Sequence, residues 1–202
     1  AQLPYQLYSE GLSTDDCDLI TIASPLAVLK KTHQMLTEKT SKIDKPLLDK
    51  LKNVGFKLDY GQDNTGWQFK YLTRGGGYYF NVGASDLIAA GKIKVIQFSD
   101  ILDFTNSGIK MKSDDELQID LMITATGYKG QEYVVENLFG KSVSDKIGPI
   151  WGFDEDTQEL RNMWIQTKQP GLWFHAGSLA QCRIFSKFLA LQIKAVQKDI
   201  LS

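Results

Sequence analysis

Cysteine and histidine are scarce, with two of each in 202 residues. Cys17 and Cys182 lie far apart and form no metal-spaced pair. With only His33 and His175 to join them, no zinc site is expected. Two reduced thiols in a cytoplasmic protein are expected instead. An excess of one charge is also lacking, since 23 basic residues face 24 acidic ones and leave a net charge of -1. The sequence also shows no basic stripe of the kind nucleic-acid binding needs, so no nucleic-acid partner is expected. Long apolar runs are missing as well. Residues 121–125 and 188–193 are far too short to span a bilayer, so no transmembrane segment is expected. The opening AQLPYQLYSE has neither a basic n-region nor an apolar h-region, so nothing reads as a signal peptide.

What is present is ordinary for a globular chain: 43% hydrophobic and 23% charged residues, enough to bury a sizeable core. STDDCD at 13–18 reads as a polar turn. Ser24-Pro25 reads as a helix start, and Leu26, Leu29, His33 and Leu36 continue at helical spacing to about Glu38. A second helix begins at Asp44 with Pro46 in its first turn and stops at Gly55. The pair predicts a helical hairpin. Alternation then predicts a β-hairpin, with Phe56, Leu58 and Tyr60 on one arm and Trp67, Phe69 and Tyr71 on the other. Arg74-Gly75-Gly76-Gly77 follows, then an aromatic strand over 78–82 and a short helix from about Ser85 closed by Gly91. Short strands at 93–98, 101–105, 109–112 and 117–124 predict a β-meander. The last of these is apolar enough to be buried on both faces. Beyond a helix at 131–140, strands are expected around Trp151 and Phe153, at 160–164 and at 172–176. A long helix from about Leu179 to Ile200 closes the chain, with Ile184, Phe185, Phe188, Leu191 and Ile193 on its apolar face.

Two segments carry chemistry. The first ends Ile123-Thr124-Ala125-Thr126-Gly127-Tyr128, where small residues let a cofactor or another backbone come close. The second is Pro170-Gly171-Leu172-Trp173-Phe174-His175-Ala176-Gly177-Ser178-Leu179-Ala180-Gln181. There a Gly-Ser turn opens a long helix whose first amides have no internal partners and sit at the positive end of its dipole. Read in order, SDLIAAGKIKVIQFSDILDFTNSGIKMKSDDELQIDLMITATGY and PGLWFHAGSLAQCRIFSKFLALQIKAV resemble blocks of the flavin-containing monooxygenases and their relatives. The likeness runs from about Leu19 to Val196 and takes in GFKLDYG, RGGGYYFNVG and GPIWGFDED.

The resemblance implies an α/β fold, part of a two-dinucleotide-binding-domain flavoprotein carrying the helical hairpin and the β-meander. Residues 1–124 would be the C-terminal part of an NAD(P)H-binding domain with a helical insertion, and 125–202 the C-terminal part of an FAD-binding domain. The implied cofactors are FAD and NADPH or NADH. The implied activity is insertion of one oxygen atom from O2 into a small-molecule substrate through a flavin C4a-peroxide. Ala125, Thr126 and Gly127 match the family's Ala-Thr-Gly segment between the two domains, and Gly177, Ser178 and Gln181 match its flavin-side loop and first helical turn. Arg74, beside three glycines, is a candidate for a nucleotide phosphate, although those glycines equally suit a tight turn. One departure is plain: the family's two Gly-x-Gly-x-x-Gly turns are absent from these residues and are expected upstream of Ala1. Two alternatives stay open, a flavin-dependent reductase or dehydrogenase on the same scaffold and a catalytically silent remnant. His175 is expected as a hydrogen-bonded core residue, and Asp154, Glu155 and Asp156 as a capped turn.

Overall fold

The computed structural model describes residues 3–201. In chain order it comprises a 3-10 turn at Leu3–Ser9, α1 (Thr14–Ile22), α2 (Leu26–Ile43), α3 (Lys45–Asn53), a second 3-10 turn at Gln62–Asn64, α4 (Gly66–Arg74) and α5 (Ala84–Ala89). A third 3-10 turn at Phe98–Asp100 leads into β1 (Ile101–Phe104), β2 (Gly108–Met111) and β3 (Glu116–Gln118), followed by α6 (Gln131–Phe139), α7 (Lys141–Ile147) and α8 (Leu179–Gln197). The protein is thus a mixture of helices and a small antiparallel sheet. It divides into two compact units, Ala1–Lys42 with Tyr60–Tyr79 and Lys129–Ser202, and Ile43–Asp59 with Phe80–Tyr128.

Local chemistry sets several of the helix ends. Ser13 accepts a hydrogen bond from the Asp16 amide at 3.1 Å and donates to the Asp16 carboxylate at 2.7 Å, so the polar stretch expected as a turn starts α1. Asp44 and Pro46 stand where the sequence puts the start of α3. That helix ends in a Schellman motif, with Gly55 N–H on the Lys52 carbonyl at 3.0 Å and Phe56 N–H on the Leu51 carbonyl at 3.1 Å. The motif needs a left-handed residue, and Gly55 supplies it at φ 81°. Both helices of the expected hairpin form, α2 in the first unit apart from Ile43 and α3 in the second, where it packs on α5.

The second unit carries the meander in the order β1-β2-β3, as expected. Ile109 stands opposite Phe104 on one side and Leu117 on the other. Its buried apolar residues are Leu51, Ile88 and Ile109. The run beyond β3 corrects the sequence reading. Ile119 donates one more ladder bond to Ser107 at 2.9 Å, and then β2 has no residues left to pair, because it begins at Gly108. Leu121, Met122 and Ile123 are consequently 76%, 53% and 81% exposed rather than buried on both faces.

Other expected strands also fail to form. The second arm of the hairpin at 56–71 is α4, and no strand forms at 56–60. Residues two apart on a helix point about 200° apart, so alternating aromatics bury both sides of α4. Phe69 meets His33 and Phe153, while Tyr71 meets Trp151 across the helix. At 78–82, Asn81 Oδ1 accepts from the amides of Gly83 and Ser85, both at 3.0 Å, and so directs the chain into α5. Residues 93–97 find no ladder partner. Around 151–164 a single bridge pairs Phe153 with Leu160, and the left-handed residues Trp151, Gln158, Asn162 and Trp164 prevent a longer ladder. Residues 172–176 are irregular and half-buried apart from the exposed His175.

The core of the first unit gathers Val135, Ile147, Ile150, Met163, Trp164 and Leu189, with Phe174, Phe185 and Ile193 packed against it. Phe188 and Leu191, expected on the apolar face of α8, are exposed instead, because that face is narrower than the sequence implies. No helix among the described residues is long and apolar enough to cross a membrane.

Candidate functional site

The start of α8 is held by a capping box and by side chains from elsewhere in the first unit. Leu172 to Ala176 deliver the backbone to Gly177 at φ 100°, and Ser178 takes the N-cap position in an extended conformation. Ser178 Oγ accepts from the Gln181 amide at 3.3 Å, and Gln181 Oε1 accepts from the Ser178 amide at 3.1 Å. This capping box satisfies two of the groups that a helix start leaves without partners. The amides of Leu179 and Ala180 still lack an intrahelical acceptor.

A second layer fixes that start. The Tyr71 hydroxyl donates to Gln181 Oε1 at 2.5 Å, and Trp151 Nε1–H donates to the Tyr71 carbonyl at 2.8 Å. The two rings stand edge to face, 5.2 Å apart. On the other side, Trp164 stacks on Phe185 with centroids 4.7 Å apart. One turn along the helix, Arg183 binds Asp18 through two hydrogen bonds, 2.9 Å from Nε and 2.6 Å from Nη2, so α1 is pinned to α8. The Arg183 guanidinium holds the Asp18 carboxyl below its ordinary range, helped by the Tyr8 hydroxyl and opposed by burial.

Gly177 is required by this geometry. A Cβ there would run into the Gln181 side chain and come within 3.1 Å of Trp164 Cη2, at a φ that β-branched residues avoid. Gly177→Val is expected to cost about 2 kcal/mol of stability. Thermal unfolding of the variant checks this, and a melting temperature equal to that of the parent chain would refute the stated role.

Of the residues singled out from the sequence, Gly177, Ser178 and Gln181 come together here. The oxygen of Gln181 is already committed to Ser178 and Tyr71, so this side chain builds the helix start rather than facing outward through that atom. Arg74 is exposed at the last turn of α4, on the same helix as Tyr71. Its neighbour Gly75 is the left-handed C-cap at φ 71° and donates to the Tyr71 carbonyl. Ala125, Thr126 and Gly127 belong to the second unit, exposed, with open space where a Cβ on Gly127 would stand. His175 is exposed, which corrects its expected core position; the buried histidine is His33. The acidic turn is as expected: Asp154 Oδ1 accepts from the amides of Asp156 and Thr157, and the Thr157 amide is the main cause of its lowered pKa.

Sequence reasoning missed Tyr71, Trp151 and Trp164. Only the Ser-x-x-Gln spacing at 178–181 offered a local signal. No family model matches the chain, and no curated protein matches it either. Among the described residues, no three His, Cys, Asp or Glu side chains gather as a metal site.

Proposed function

We propose that the chain is the C-terminal part of an FAD- and NAD(P)H-dependent oxidoreductase of the flavin-containing monooxygenase type. Residues 1–124 would contribute to its NAD(P)H-binding domain and 125–202 to its FAD-binding domain. The observation that carries this reading is the start of α8. Two amides there lack an intrahelical acceptor, and the helix dipole is positive. Those features fit the electron-rich oxygens of FAD. The exposed apolar run at 121–123 lends further support, since an extended segment without ladder partners suits pairing with other strands of a nucleotide-binding sheet. Cys17 and Cys182 are both free thiols, in keeping with a cytoplasmic setting.

Bound FAD would pass electrons from NAD(P)H to O2, allowing one oxygen atom to reach a small-molecule substrate. The contribution of this chain is placement. Leu179 and Ala180 would donate to cofactor oxygens, Ser178 and Gln181 hold the helix start, and Tyr71 braces Gln181. Ala125, Thr126 and Gly127 would line the passage between domains, and Arg74 would meet a nucleotide phosphate.

Because neither Gly-x-Gly-x-x-Gly turn lies in these residues, FAD should bind weakly, on the order of 1 mM, and wash out on desalting. Titration of the isotope-labelled chain with FAD should still move the Leu179 and Ala180 amide resonances in NMR spectra. If those two amides stay still while FAD is raised to saturation elsewhere, the placement is wrong.

A further inference from the structure

Within the first unit, α2 and the turn at 60–64 enclose an open cavity of about 610 Å³. That volume lies in the range of small-molecule sites. Its wall is fixed in advance. Gly66 N–H closes the turn onto the Tyr60 carbonyl at 2.7 Å, and Thr65, 1% exposed, donates its hydroxyl to the Gln62 carbonyl. Asp63 and Asn64 both take left-handed conformations, at φ 53° and 59°, which aspartate and asparagine accept in tight turns. From α2, Lys30 pairs with the Asp63 carboxylate at 2.5 Å and Gln34 Nε2 donates to the Asp63 carbonyl at 2.9 Å.

The charges in this cavity do not cancel. The two carboxylates that line it each have a cation: Lys30 for Asp63, and Lys42 for Glu38 at 2.6 Å. Lys31, the third cation beside them, has no carboxylate partner among the described residues. Its apolar surface comes from Met35, 71% exposed, and from the Tyr60 ring, 37% exposed. A methionine left so open on a rigid wall is an adaptable contact for carbon. We propose that this cavity binds a small organic carboxylate, with Lys31 as the cationic partner of the ligand and Met35 and Tyr60 against its apolar body.

The proposal does not depend on the flavin reading, and its test is separate. The labelled full chain is titrated with benzoate and, in parallel, with uncharged benzamide of the same shape. Benzoate should shift the amides of Lys31, Gln34, Met35 and Asn64 saturably, with a Kd of about 1 mM. Benzamide should bind about fivefold more weakly, as the loss of one exposed ion pair dictates. Lys31→Gln, an exposed change that leaves the fold intact, should remove the advantage of benzoate and leave benzamide unaffected. Equal affinities for the two ligands in the parent chain would overturn the proposal. So would shifts confined to other residues, or a Lys31→Gln chain that still prefers benzoate.

Discussion

Trp164→Ala is expected to lower the unfolding free energy by about 4 kcal/mol, within the range for emptying a buried tryptophan site. Trp164 is 3% exposed and stacks on Phe185, inside the cluster that contains Met163 and Leu189. Its backbone is equally engaged, donating to the Phe174 carbonyl at 3.1 Å and accepting from Gln192 Nε2 at 2.8 Å. The ring also stands beside Gly177. Emptying that space therefore removes a wall of the α8 start as well as core packing. Trp164→Phe should behave differently. Trp164 Nε1 is buried without a hydrogen-bond partner, and an orphan donor of this kind costs roughly 1–3 kcal/mol. Phenylalanine loses some ring volume but also that penalty, so its net cost should be about 1 kcal/mol. Urea unfolding of both variants separates the two effects. Equal destabilisation by Phe and Ala would show that the indole N–H is satisfied after all.

The sequence reveals those parts of this fold that local chemistry decides. Pro46 near the start of α3, through its fixed φ and missing N–H, and Gly55 and Gly91 at helix ends and Ser178 with Gln181, through bonds to residues three or so away, all act locally and stand at helix ends that the sequence marks. Ser13 with Asp16 is the same kind of signal, and it is legible once the polar run is scanned for an N-cap serine rather than for turn composition. Strands are another matter, because a strand exists only when a neighbour accepts its hydrogen bonds. Leu121 to Ile123 have the composition of a buried strand, yet β2 ends before reaching them. The alternation of Trp67, Phe69 and Tyr71 was ambiguous for a related reason. A helix enclosed on both sides also buries residues two apart, and what encloses α4 lies at His33, Trp151 and Phe153. The candidate site divides along the same line. Its capping box is local, whereas the bond from Tyr71 to Gln181 spans 110 positions and leaves no trace in spacing.

The stability of the chain should fall by about 3 kcal/mol as the pH drops from 6.5 to about 4, because of His33. This side chain occupies a leucine-like position on α2, is 6% exposed, and meets the Phe69 ring edge to face at 5.5 Å. Burial away from water lowers its pKa from 6.5 to about 4. The direction follows from proton counts. Below pH 6.5 the unfolded chain binds a proton at His33 while the folded chain refuses it until about pH 4, so the unfolded state gains throughout that interval. The contribution is intact above 6.5 and gone below about 4. Asp18 and Asp154, whose pKa values are lowered, lose their contributions only in more acid solution, so they leave most of this window to histidine. His33→Leu keeps an apolar residue against Phe69 and has nothing to protonate. Urea midpoints measured between pH 7 and pH 4.5 should slope for the parent chain and run nearly flat for the variant. Parallel slopes would mean that His33 is solvated in the folded state, and that α2 and α4 are not packed around it. Because α4 also carries Tyr71, that result would weaken the bracing of α8 as well.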